Sequence, residues 1–350
     1  MKLALNLGYW GTDSEAANLE LAVEAERLGY DSVWVAEAYG SDVPSVLAWI
    51  GARTTTLGLG AGIMQIPART PAMAAMTAAT IDALSGGRLR LGFGVSGPQV
   101  SEGWHGVRFD KPLVRTREYI DIVRLALARQ RVRYDGQFYQ LPLPDGAGKA
   151  LMLTVHPVRD EIPIYLAAVG PRNLALAGEI ADGWLAVFFS RRFGPEQLAT
   201  IAEARTASGR SMTDFDVVAC TPLVVGDDLE AMAEPVRGQA ALYIGGMGSK
   251  RENFYNQLAG RMGYATEAAQ IQQRYLARDY QGAAALVPQG FIDDTALIGP
   301  IDRIAERMAG LSESGVTTLA VMPMAGTREE RLRSLSHAVE ALDRSGAASG

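Results

Sequence analysis

Residues 57–95 read LGLGAGIMQIPARTPAMAAMTAATIDALSGGRLRLGFGV, and this stretch decides the fold. Residues 57–63 alternate apolar side chains with glycine and predict a strand. A helix starts at Thr70-Pro71, with proline at its first position, and stops at Gly86-Gly87. It carries Met73, Met76, Thr80 and Leu84 on one side, and its alanines allow close packing. Residues 88–95 are the next strand. The unit is therefore strand, helix, strand, and it repeats in both directions.

Upstream, Leu3, Leu5 and Leu7 alternate in a first strand. Asp13-Ser14 offers a cap for a helix with Leu21, Ala25 and Leu28 on one face and a stop at Gly29. Residues 32–36 are a second strand and 44–53 a helix. Downstream, helices are predicted over 112–130, 172–181, 195–208, 301–314 and 328–342, and strands over 162–168, 183–189, 216–225 and 317–322. Eight strands alternating with helices predict a (β/α)8 TIM barrel. A doubly wound sheet would want a glycine-rich fingerprint after the first strand, and Gly8-Tyr9-Trp10-Gly11 is not one. Residues 1–350 thus form one domain, with insertions at about 131–160, where 134–139 look like a hairpin, and 226–300. Both are expected on barrel loops that shape a binding site.

Composition narrows the function. With 48% hydrophobic and 21% charged residues, the 350-residue chain has the make-up of a soluble globular protein. A net charge of -6 argues against a nucleic-acid partner. No window has the roughly 18 unbroken apolar residues of a membrane span. Cys220 is the one cysteine, and His105, His156 and His337 have no metal-ligand spacing, so no metal is expected and a reducing cytoplasm fits.

In such a barrel, chemistry sits at the C-terminal strand ends. There the chain has Tyr9-Trp10, Glu37, Gly62 to Gln65, Ser96 to Gln99, Val169 to Arg172 and Phe188 to Arg191. Gly170-Pro171-Arg172 opens a helix straight after a strand, leaving free amides and a positive dipole end for an anion; an ordinary helix start with a solvated arginine reads equally well. Arg191 and Arg192 add to such a site or are a solvated pair. Glu37 is a candidate acid facing the mouth, or a cap or salt-bridge partner. His105 is a candidate acid/base or a structural loop histidine. Gly245 to Lys250 lacks the Walker spacing and is no phosphate loop.

These strand ends resemble the bacterial-luciferase-like superfamily, and more closely its branch that uses the deazaflavin coenzyme F420. The matching segments are residues 29–37, 57–64, 85–95, 163–172 and 181–184, in order and spacing over about the whole barrel. Ser85-Gly86-Gly87-Arg88 leading into a glycine-rich strand is the most specific of them; residues 169–172 and 243–248 point to the deazaflavin branch. The resemblance implies a non-prolyl cis peptide at Gly62–Ile63 behind the ring. It implies Gln65, Ser96 and Gly97 beside the ring or its side chain, and Ala168, Val169, Gly170, Pro171 and Arg172 around the ribityl and phosphate. Relatives that oxidise a sugar phosphate carry histidine and glutamate where this chain has Ala38 and Pro98, so glucose 6-phosphate dehydrogenation of that kind is not expected.

The expected activity is hydride transfer between deazaflavin C5 and a small organic substrate, with Glu37 and His105 as candidate catalytic residues. An FMN-dependent monooxygenase and a non-catalytic flavin or deazaflavin carrier are the alternatives. The alanine-rich third helix suggests a homodimer or higher homo-oligomer, as is usual for the resembled family.

Overall fold

The computed structural model describes residues 1–9, 15–248, 253–324 and 326–348. The strands β1 (Lys2–Tyr9), β2 (Ser32–Ala36), β3 (Gly58–Ala61), β4 (Leu89–Gly94), β5 (Ile164–Ala167), β6 (Gly183–Val187), β7 (Asp216–Val225) and β8 (Thr318–Pro323) pair in sequence, all parallel. The β8–β1 pairing closes the barrel. Around it lie α1 (Glu15–Arg27), α2 (Val43–Gly51), α3 (Pro71–Ser85), α4 (Pro112–Leu127), α5 (Pro171–Ile180), α6 (Gly194–Ala207), α7 (Ile301–Glu313) and α8 (Arg328–Ser345). Asp13-Ser14 and Trp10 lie outside the described residues. Among the described residues, no helix is long and apolar enough to cross a membrane.

Two aromatic rings fill the barrel interior, Trp34 on β2 and Tyr165 on β5, edge-on with centroids 5.1 Å apart. Glycines make their space: a Cβ on Gly60 would stand 2.3 Å from the Trp34 ring, and one on Gly183 2.3 Å from Tyr165. Below them, Arg90 pairs with Asp31, Ser32 accepts from Arg90 at 2.8 Å and Trp34 at 3.2 Å, and Asp216 accepts from Tyr165 and Thr318. The base of the barrel is thus a set of polar groups that satisfy one another.

Helix α3 turns its alanines toward the barrel. Its Ala74, Ala75, Ala78 and Ala79 are buried against the barrel, whereas Met73 and Met76 are half exposed and Leu84 is 75% exposed. Small residues let this helix lie close to the strands, so the long apolar side chains point outward.

The two insertions also part company. Residues 131–160 join the end of α4 to the start of β5, so they leave and re-enter the barrel at its base, and their hairpin lies along α4. Glu118 on α4 takes the amides of Gln137, Phe138 and Tyr139, forming the turn between short strands Tyr134–Asp135 and Gln140–Leu141. Arg159 reaches buried Asp82 on α3, which also accepts from Leu89 N at 3.1 Å. Residues 226–300 follow β7 and do lie at the mouth. Their helices pack a separate apolar cluster around Val236, Ile244, Leu258 and Phe291, and a short strand, Leu297–Gly299, returns to pair with the end of β7.

Candidate active site

Just past the ends of β2, β4 and β6, Ala38, Ser96 and Phe188 adopt left-handed backbone conformations, with φ of 46°, 60° and 56°. Non-glycine residues reach this region at a cost that the surroundings must sustain, and such positions gather at functional sites. All three turn the chain at the rim of the mouth.

Ile63, Ala167 and Cys220 pack on top of the interior cluster and form the apolar floor. The Gly62–Ile63 peptide is cis. The room at this point is made on β4. A Cβ on Gly62 would meet its nearest neighbour at 3.6 Å, an ordinary contact. One on Gly94 would stand 2.6 Å from Ile63 Cδ1, and one on Gly92 2.0 Å from Ala61 O. Burial pushes the Cys220 thiol up to about 12, so it is neutral and no nucleophile at ordinary pH.

Beyond the floor, Met64–Gln65 pair with Phe93 and Gly94. The buried Gln65 amide joins two expected site residues: its Nε2 donates to Ser96 Oγ at 3.1 Å, and its Oε1 lies 3.0 Å from His105 Nε2. His105 is anchored through its backbone N to Val100 O, beyond the short helix Pro98–Ser101 that Gly97 precedes. Imidazole, amide and hydroxyl therefore form one connected, uncharged-capable set at the rim.

Glu37 does not offer a free carboxylate to the mouth. It is buried and accepts from Gln65 N at 2.9 Å, Val43 N at 3.3 Å and both terminal nitrogens of Arg69, at 2.8 and 3.1 Å. The salt-bridge alternative is the one the fold adopts, and its partner, 32 residues downstream, carried no signal in the sequence. Through Gln65 N the pair fixes the backbone from which the Gln65 amide projects.

The opposite wall comes from β1, β6 and the 226–300 insertion. Tyr9 and Tyr243 bring their hydroxyls within 3.3 Å, Tyr243 and Tyr255 stack edge-on at 4.9 Å, and Phe188 packs edge-on against both. Burial, above all, raises the Tyr9 and Tyr243 phenols, which stay protonated donors. Tyr243 rides on a π-helical turn, Leu242–Gly246, whose Gly245 and Gly246 lie against the Tyr275 ring with room for no side chain. That contact accounts for Gly245 and Gly246; Ser249 and Lys250 of the same segment lie outside the described residues. Tyr255 and Arg69 were not singled out from sequence.

The third side is the β5–α5 turn. Ala168 is buried, with its carbonyl accepting from Trp184 Nε1 at 2.9 Å, and Val169 O accepts from Arg261 at 3.1 Å. Gly170 caps α5 without a side chain, and Pro171 and Arg172 are exposed. Among the described residues, the Arg172 guanidinium has no partner. Arg191 and Arg192 do not join it: they line a cavity beside Thr221.

The family profile for luciferase-like monooxygenases matches residues 6–318. A Mycobacterium tuberculosis protein provisionally named as a coenzyme F420-dependent oxidoreductase is 44% identical over 337 residues, covering 94% of this chain and 96% of its own. The 5,10-methylenetetrahydromethanopterin reductase of Archaeoglobus fulgidus is 30% identical over 307 residues, or 87% and 89% of the two chains. In fold, the chain is similar to the coenzyme F420-dependent tetrahydromethanopterin reductase of Methanopyrus kandleri, with a TM-score of 0.81 at 24% identity over 96% and 97% of the chains.

Proposed function

This chain belongs to the luciferase-like monooxygenase family, and we propose that within it the protein is an oxidoreductase that works with coenzyme F420 on a small organic substrate. The observation that carries this reading is the Gln65 amide, which ties Ser96 and His105 into one set beside Ile63. The high identity to a relative named for F420 supports the choice of cofactor.

The residues present fit the group: an apolar floor, a hydrogen-bonding rim, and a helix start that no side chain caps. When bound, the deazaflavin supplies a ring carbon, C5, that gives or takes a hydride. Ile63, Ala167 and Cys220 back the ring and exclude water; Gln65, Ser96 and Gly97 hold its edge. Ala168, Val169, Gly170, Pro171 and Arg172 take the ribityl and phosphate, the helix amides and the guanidinium acting together. His105 is the catalytic residue, holding or releasing a proton at the substrate oxygen through Nδ1 while Gln65 orients the ring. Glu37 is a positioning residue behind Gln65. A cytoplasmic homo-oligomer, formed through the outer face of α3 with Met73 and Met76, completes the reading.

Fluorescence titration with F420 and with FMN, separately, tests it. F420 is expected to bind more tightly by at least about tenfold. Equal or tighter binding of FMN replaces the reading with a flavin-dependent monooxygenase. F420 binding without hydride transfer to any carbonyl or imine acceptor replaces it with a carrier.

A further inference from the structure

Outside the barrel wall, between β7, the loop after β6 and α7, lies a cavity of about 570 Å³. That is the size of a small-molecule site. It is not part of the mouth. Along β7, Val218 and Cys220 face the interior, while Val217, Ala219 and Leu223 belong to the layer between strands and helices. Thr221 shares that outward side, and it is Thr221 that lines the cavity.

Arg191, Arg192, Arg303 and Arg307 line it, with Asp293, Asp294 and Glu306. The internal pairs account for only part of this charge. Arg303 pairs with Asp293 at 2.9 Å and also donates to Ile298 O. Arg191 pairs with Glu313 at 3.4 Å, and Asp294 accepts from Tyr264 at 3.2 Å. Glu306 is exposed, and with Asp293 and Asp294 it acts on Arg307 from beyond ion-pair distance. Among the described residues, Arg192 and Arg307 have no carboxylate within ion-pair distance. Arg192 lies over the Phe193 ring at 4.8 Å.

Arg307 is the decisive group. Its Nε is buried without a partner, a condition shared with Arg237 and Arg331. Those two use their terminal nitrogens, Arg237 on Glu234 and Gln289, Arg331 on Asn18. Among the described residues, no nitrogen of Arg307 has a hydrogen-bond partner. A buried Nε–H left unbonded is costly, and the cost falls when an acceptor arrives; the terminal nitrogens open to the cavity. Burial, then the neighbouring Arg303, presses the Arg307 pKa below the usual arginine value, in the direction that a bound anion would reverse.

We propose that this cavity is a second binding site, for a small dianion such as a phosphate ester or a dicarboxylate, held between Arg192 from the β6 loop and Arg307 from α7. Guanidinium forks match the oxygens of both groups. The site does not depend on the cofactor reading, because none of its residues lines the mouth.

The test is calorimetric titration of the full chain with phenyl phosphate and, separately, succinate, at constant ionic strength. At least one probe is expected to bind with a Kd below about 1 mM, weakened about tenfold or more in both Arg307→Met and Arg192→Met. Binding of phenyl phosphate alone assigns a phosphoryl ligand, binding of succinate alone a carboxylate one; either supports the site. Arg172→Ala is expected to leave in place the binding that the two cavity variants weaken. Absence of binding by both probes overturns the proposal. So does binding that survives both cavity variants, or that vanishes in Arg172→Ala, which moves the anion to the start of α5. Should Arg307→Met not fold, Arg192→Met, on an exposed-side stack, decides alone.

Discussion

The insertions at 131–160 and 226–300 are both long departures from the strand–helix rhythm, yet they do opposite work. The first leaves a helix and enters a strand, and its ion pair to Asp82 closes the base. The second leaves a strand and enters a helix, and its Tyr243 and Tyr255 wall the mouth. The polar groups of the two ends differ in the same way. At the base, Asp82, Asp31 and Asp216 are met by Arg159, Arg90 and hydroxyls. At the mouth, His105 and the tyrosines keep capacity for a ligand. Polar groups that exhaust one another hold a fold; polar groups left with spare valence can act on something else.

The comparison can be broken from its base. Asp82→Ala strands the Arg159 charge and the Leu89 amide and should cost on the order of 3 kcal/mol, since it opens a buried pair. Denaturant unfolding reads the loss, and the folded fraction should keep its full turnover. A fall in turnover per folded molecule would show that the base is not merely structural. At the mouth the signs reverse. His105→Ala should reduce kcat about a hundredfold, with an unfolding midpoint close to that of the unaltered chain. Unchanged kcat would make this histidine as structural as the base. The smallest effect sharpens the contrast within the mouth: Arg172→Ala should weaken cofactor binding by roughly ten- to a hundredfold, the scale of one charge-assisted contact. A cofactor fragment without the phosphate should bind both chains alike in a parallel titration. If full-length cofactor binds the variant undiminished, Arg172 is a solvated residue.

The barrel was legible because each of its strands is short, alternating and punctuated by glycine or a capping residue, as in residues 57–95. The sides of α3 were not. An apolar stripe normally marks the buried face, but here alanines win that face because the helix sits close to the strands. The site was legible as positions rather than as roles. Gln65, Ser96 and His105 stood at strand ends, yet only the fold brings them into hydrogen-bonding distance. Glu37 could be placed but not its partner, since no local pattern links it to Arg69. Gly92 and Gly94 stood out as a glycine-rich strand, while the atoms that require them, Ala61 O and the Ile63 side chain, belong to β3 and the turn just after it. The first insertion was read as a barrel loop, and its order, helix then strand, sets its two ends at the base.

The short strand Leu297–Gly299 gives the second insertion an unusual property. It runs beside Leu223, Val224 and Val225, and Gly226 N donates to Gly299 O at 3.1 Å, so the segment departs and returns at adjacent points. Neighbouring strands lie only about 4.8 Å apart. Between those points the insertion carries its own apolar cluster. The mouth wall is therefore a cassette with a fixed socket. Whole segments can be exchanged there between relatives, by recombination or by an engineer, with little added cost of loop closure and the barrel's register left alone.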